Sequence, residues 1–207
     1  VEFSSTLTFD RILGAYNAME GVDAVTRHEL FCIMRSLVPE WPEAMSEDIV
    51  IRLSGRIDRE EIRTLPDGSS RIRLVDYKTG RVPPVRQIVN DLQLVCYQLG
   101  LDFPQDGGDP AVPGTGMPLI AQSVLFHVSE KNAPAESYGA EGLFQPPLMV
   151  DGHLNDSVFT ARYHYSSMAA LLDAPVLPED APEGVDPHAW GQFLALRGTQ
   201  AVWALTM

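Results

Sequence analysis

Cysteine is scarce: Cys32 and Cys96 are the only two in 207 residues. They lie too far apart in sequence for a zinc or iron–sulfur spacing motif, and two cannot build a disulfide framework. A reducing cytoplasm is the expected compartment. No apolar run approaches the roughly 18 residues needed to cross a bilayer, so a transmembrane reading is excluded. The chain starts at Val1 with neither an initiator Met nor a basic-then-apolar leader, and it is read as a piece of a longer polypeptide. Basic residues are also few, 15 Lys+Arg against 28 Asp+Glu for a net charge of −13. That balance argues against a nucleic-acid binder working through bulk charge. The charge is unevenly spread, however. Residues 52–86 carry nine basic and five acidic side chains, net +4, whereas residues 1–51 carry −6 and residues 87–207 carry −11.

Hydrophobic content of 45% and charged content of 21% suit a folded domain with a proper core. Periodicity predicts helices over 6–20 and 24–37, the second from Val25, Leu30, Ile33, Met34 and Leu37. Pro39 and Pro42 end that pattern. From Ile49 the period becomes two, with a bend at Gly55, a further stretch to Leu65, and a turn at Pro66-Asp67-Gly68-Ser69. Arg71 to Val75 alternates again, so three short strands are expected to form an antiparallel meander. A helix over 85–101 follows, with Ile88, Leu92, Val95 and Leu99 on its apolar face and Gln93 and Tyr97 on another. Residues 102–118 read as a surface loop and 119–128 as a buried strand. One or two short strands are expected within 133–155, and helices over 156–172 and 189–206. The acidic, Pro-rich stretch 174–187 reads as linker. The domain expectation is therefore 1–173, with a core at about 45–130, followed by 174–207 as linker and C-terminal helix. The element order α-β-β-β-α-β defines an α/β fold with a central mixed sheet flanked by helices.

Within that order, Asp58 and Asp76 fall on neighbouring strands and can converge on one point. Asp76 and Lys78, two apart in a strand, point the same way. Two carboxylates meeting in a partly desolvated cleft repel each other unless one is protonated or a cation lies between them. Hard oxygen donors select Mg²⁺ or Mn²⁺, which also accept phosphate oxygens. A Lys beside such an ion can orient water or stabilise a pentavalent phosphate, the arrangement for metal-assisted phosphodiester hydrolysis. Gln93 can hold the water or a phosphate oxygen, and Tyr97 can contact the nucleic-acid backbone.

Gly55-Arg56-Ile57-Asp58, Asp76-Tyr77-Lys78-Thr79-Gly80 and Gln93-Leu94-Val95-Cys96-Tyr97 resemble the GxxD, DYKTG and QxxxY signatures of RecB-type nucleases. Those belong to the PD-(D/E)XK superfamily, whose core is an α-β-β-β-α-β unit. The resemblance spans about residues 45–130 and implies Asp58, Asp76 and the Tyr77 carbonyl as metal ligands. It implies Lys78 as the catalytic lysine and Gln93 and Tyr97 as groups shaping the site. It also implies a place at the end of a helicase–nuclease that processes double-strand breaks, with DNA and a helicase motor as partners and a bacterial cytoplasm as location. Many relatives carry a metal-binding His on a helix well upstream of GxxD. Here His28 fills that role, or the His precedes Val1, which is the favoured expectation, or it is absent. Two cysteines cannot hold the iron–sulfur cluster of some relatives, so none is expected.

Taken singly, each of these side chains has a structural reading. Asp58 and Lys78 could form a cross-strand ion pair, the strand arginines could be a solvated face, and Tyr97 and Cys96 could be core. His127, His153, His164 and His188 show no ligand spacing and are given structural or surface roles. Gly107-Gly108 and Gly114-Thr115-Gly116 lack the Lys-Ser/Thr of a phosphate loop. The expectation is a Mg²⁺-dependent deoxyribonuclease, exonuclease rather than endonuclease, acting on single strands or duplex ends. The rivals are a silent nuclease-like DNA-binding or subunit-interaction module and a stand-alone phage-type exonuclease.

Overall fold

The computed structural model describes residues 1–38, 40–80, 88, 90–105, 119–128, 144–155 and 177–195. Its elements run β1 (Glu2–Thr8), α1 (Phe9–Asn17), α2 (Arg27–Ser36), β2 (Val50–Arg56), β3 (Arg59–Thr64) and β4 (Ser70–Lys78). They continue with α3 (Leu92–Asp102), β5 (Leu119–His127), the two-residue strands β6 (Phe144–Gln145), β7 (Met149–Val150) and β8 (His153–Leu154), and α4 (Pro187–Ala195). From α2 to β5 the order is the α-β-β-β-α-β anticipated above, and the fold is mixed α/β. The helix expected over 156–172 lies outside the described residues, as do His164 and the far end of the helix expected over 189–206.

Two local readings change. Residues 2–8 form a strand, although the helix was expected from Thr6. Phe3, Ser5 and Leu7 are buried with a period of two, and Thr8 starts the helix by accepting from the Arg11 N–H at 3.4 Å. α2 begins as patterned, with a capping box in which Thr26 and Glu29 satisfy each other's backbone. The expected three-stranded meander also divides. β2 pairs antiparallel with β1, and only β3 and β4 form the hairpin. That hairpin closes on the Pro66–Ser69 turn, where Gly68 has φ +83° and Asp67 accepts from the Ser69 N–H at 2.9 Å. β4 then pairs in parallel with β5, giving the mixed sheet β3-β4-β5-β6. The break between β2 and β3 occurs at Ile57-Asp58. There the Ile57 N–H is already taken by the Val1 carbonyl at 2.7 Å, continuing the β1 ladder.

α3 crosses from β4 to β5 and is buried on several sides, because it lies between two apolar clusters. Val95, Leu99 and Phe103 join a large cluster with α1, α2 and α4. Leu94 and Tyr97 join a smaller one with Phe3, Ile57, Ile72, Leu74 and Leu125. The single apolar face expected for this helix is therefore wrong in one member: Leu92 is 54% exposed. The described part of the Pro-rich stretch does not hang free, since Leu177, Ala181 and Val185 pack on the large cluster together with Trp190 and Phe193 of α4.

Phe3 sets how closely β1 approaches α3. A Cβ built on Gly100 would sit 2.2 Å from two carbons of the Phe3 ring. Gly100→Ala should gain about 1 kcal/mol of helix propensity and lose about 3 kcal/mol to overpacking. A net loss of about 2 kcal/mol in urea unfolding is the expected result.

The last residue of α3, Asp102, is 3% exposed and its Oδ2 has no hydrogen-bond partner. Burial pushes its carboxyl up to about 8. The unfolded chain ionises Asp102 near 4, whereas the folded chain keeps it protonated. Stability should thus fall as pH rises from about 4 to about 8 and level off above. Asp102→Asn should flatten that slope in denaturant midpoints measured across the range, with no change at its acid end.

Candidate active site

Asp76 is near the C-terminal end of β4, only 3% exposed, on the face that β4 turns toward α3. Alternation puts Ile72, Leu74, Asp76 and Lys78 on this face and Arg71, Arg73, Val75 and Tyr77 on the other. Asp76 Oδ1 accepts from Gln93 Nε2 at 2.9 Å and from the Tyr97 hydroxyl at 3.0 Å. The Lys78 ammonium lies 2.6 Å from Asp76 Oδ2 and donates to Gln93 Oε1, also at 2.6 Å. That buried oxygen has this ion pair and no hydrogen-bond partner. Gln93 Nε2 also lies 2.6 Å from the Tyr97 hydroxyl and closes the ring of four side chains. Gln93 and Tyr97 meet there because they are one turn apart on α3, whose start is fixed by Asp91 accepting from the Leu94 N–H. Burial, then the hydrogen bond to the Asp76 carboxylate, pushes the Tyr97 hydroxyl up to about 12. It stays a neutral donor at ordinary pH.

Asp58 reaches this point from the bend between β2 and β3. The β3–β4 ladder pairs Arg59 with Val75, so one step further sets Asp58 opposite Asp76. Asp58 Oδ2 accepts from the Tyr77 N–H at 3.0 Å. A strand residue points its N–H and C=O to the same side, so the Tyr77 carbonyl also faces the Asp58 side. The Lys78 carbonyl faces the opposite way and accepts from the Val128 N–H at 2.9 Å. The six residues singled out in the sequence, Asp58, Asp76, Tyr77, Lys78, Gln93 and Tyr97, are thus brought together at one end of β4.

One of the alternatives weighed for the site does not fit this geometry. His28 is turned away: its ring nitrogens face Glu47 and Cys32, neither of which belongs to the cluster. The described arginines of β3 and β4 do not line the carboxylates either. Arg71 and Arg73 share the Tyr77 face, opposite to Asp76, and so do Arg63, Glu61 and Arg59 of β3, paired with Arg71, Arg73 and Val75 respectively. There Glu61 pairs with both Arg59 and Arg73, and Arg59 donates to the Tyr77 hydroxyl at 3.3 Å.

One neighbour escaped the sequence reading. His127, given a structural role there, is opposite Lys78 in the parallel ladder and is 6% exposed. Its Nδ1 is 3.0 Å from the Gly80 carbonyl, which can only accept, so Nδ1 carries the proton. His127 thereby ties down the turn that follows Lys78. The available signal was its place at the C-terminal end of a buried strand, where parallel strands open toward a site.

A model of the PD-(D/E)XK nuclease superfamily matches residues 13–151, about two thirds of the chain, and the protein belongs to that superfamily. Comparisons with curated proteins and with solved structures gave no match. Nucleases of this superfamily generally use divalent metal ions. Among the described residues no three His, Cys, Asp or Glu side chains are grouped to hold one. Asp58 and Asp76 supply two carboxylates, and the Tyr77 carbonyl can supply a third oxygen. The buried Asp76 Oδ2, with a cation beside it and no hydrogen bond, fits such a group. No helix among the described residues is long and apolar enough to cross a membrane.

Tyr97→Phe removes one of the two hydrogen bonds to Asp76 Oδ1 and keeps the edge-on contact with Phe3, whose ring centroid is 6.0 Å away. A hydrogen bond to a charged group contributes about 1.5–3 kcal/mol. A drop of that size in urea unfolding, with unchanged far-UV dichroism, is the expected outcome.

Proposed function

We propose that this chain is a Mg²⁺- or Mn²⁺-dependent deoxyribonuclease of the RecB type, hydrolysing phosphodiester bonds as an exonuclease. The observation that carries this reading is the buried Asp76 held by Lys78, Gln93 and Tyr97, with Asp58 and the Tyr77 carbonyl directed to the same strand end. Asp58, Asp76 and the Tyr77 carbonyl would hold the metal. When bound, it supplies Lewis-acid charge to a phosphoryl oxygen and acidifies water.

The protein groups have separable tasks. Tyr97 and Gln93 fix Asp76 Oδ1, so the carboxylate is oriented before substrate arrives. Lys78 is 35% exposed, enough to reach substrate while tethered to Asp76 and Gln93. Its ammonium would orient the attacking water or stabilise charge on the phosphate. Gln93 Oε1, now occupied by Lys78, could accept from that water once the ammonium turns to phosphate. The helicase motor proposed as partner, in the same or another chain, would deliver single strands from DNA ends during double-strand break repair in a bacterial cytoplasm. An acidic chain needs such delivery, because its bulk charge of −13 repels DNA. The rival reading, a silent nuclease-like module, draws support from His28, which faces away from the cluster.

The decisive experiment is cleavage of labelled single- and double-stranded DNA with Mg²⁺ or Mn²⁺. Wild type should cut, Asp76→Ala should be inactive, and Lys78→Ala should be slowed by at least about a hundredfold. Equal cutting by wild type and Asp76→Ala would remove this site from consideration. No cutting by wild type, with tight DNA binding retained, would favour the silent module.

A further inference from the structure

A second group of metal-ligating side chains lies on α2, apart from the nuclease cluster. His28 and Cys32 are one helical turn apart and share a face. His28 Nε2 and Cys32 Sγ are 3.6 Å apart, and His28 Nδ1 is 2.8 Å from Glu47 Oε1. The carboxylate can only accept, so Nδ1 carries the proton and Nε2 presents a lone pair. Both donor atoms border a cavity of about 550 Å³, also lined by Arg35, Glu183 and Gly184. Gly184, at φ +87°, leaves the space beside them open. A Cβ there would sit 3.0 Å from Nε2 and 3.1 Å from Sγ.

We propose that His28 Nε2 and Cys32 Sγ bind a thiophilic divalent metal, Zn²⁺, with the cavity side of the ion open to Glu183 or water. Tetrahedral zinc with ordinary Zn–N and Zn–S bonds places the two ligand atoms about 3.5 Å apart, matching the observed separation. Glu47 on Nδ1 is the outer carboxylate that orients most metal-bound histidines. Imidazole and thiolate donors select zinc over Mg²⁺ and Mn²⁺, so this site would not compete for the nuclease metal.

The same dyad could be a nucleophile activated by a base, and the surrounding charge decides against that. Glu47 sits on the His28 ring, and Glu183 lines the cavity with Arg35 as the one cation among the described residues there. Those carboxylates oppose a free thiolate and attract a cation. On binding, the thiol loses its proton to solvent, sulfur donates a lone pair to zinc, and neutral His28 donates another, so affinity should rise with pH.

The test uses the whole chain carrying Cys96→Ser, so that Cys32 is the only thiol. Zn²⁺ should bind one per chain in competition with a chromogenic chelator, and Co²⁺ should give a thiolate-to-metal charge-transfer band. Cys32→Ala should abolish the band, and Glu47→Gln should weaken Zn²⁺ about ten- to a hundredfold. Asp58→Ala with Asp76→Ala should leave both signals intact, separating this metal from the nuclease ion. Zn²⁺ should also slow alkylation of Cys32 in the otherwise unchanged chain, a readout independent of how Cys32→Ala folds. Absence of the cobalt band, or alkylation at the same rate with and without Zn²⁺, would overturn the proposal.

Discussion

A carboxylate withdrawn from water needs compensation, and at Asp76 the compensation organises the molecule. At 3% exposure, it must find partners for both oxygens or lose several kcal/mol to desolvation. One oxygen takes Gln93 and Tyr97 from α3, and the other takes the Lys78 ammonium from its own strand. These contacts fix the rotation of α3 against β4. That rotation in turn decides which residues of α3 enter the apolar cluster beneath the sheet and which reach the site.

The same constraint divides the sheet's two faces. Asp76 and Lys78 lie on the side covered by α3, while the arginines of β3 and β4 lie on the reverse, partly neutralised by Glu61. The described basic side chains of β3 and β4 are therefore parted in space: Lys78 lies beside the carboxylates, and a row of arginines lies behind the strand. The acidic remainder of the chain holds a further negative cluster on α2, where Glu29, Glu47 and Glu183 surround a histidine and a cysteine. Charge sign alone describes neither place.

Much of the site could be read along the chain because its parts are local. Asp76 and Lys78 share a face by strand alternation, Gln93 and Tyr97 by helical periodicity, and Asp58 follows directly on the alternating stretch that forms β2. The hairpin turn was legible for the same reason: Pro66 and Gly68 carry their conformations with them. The first strand was not, since Phe3, Ser5 and Leu7 alternate over too few residues to outweigh the helical pattern starting just after them. The meander failed because pairing is a choice among distant partners. β2 could have joined β3, but β1 took it, and no short-range signal records that competition. His127 was missed for a related reason, as only the parallel register with β4 sets it beside Lys78.

By itself, then, the sequence determined the inventory: the order of elements from α2 to β5, the turn chemistry, and the six polar residues that meet at the end of β4. These are short-range properties, set by backbone propensity and by periods of 2 and 3.6 residues. Tertiary structure alone decided which strands paired, which face the arginines took, and that His28 points toward Cys32 and Glu47 instead of Asp76. Those outcomes depend on burying apolar surface and satisfying polar atoms across the whole chain at once, and no local window contains them.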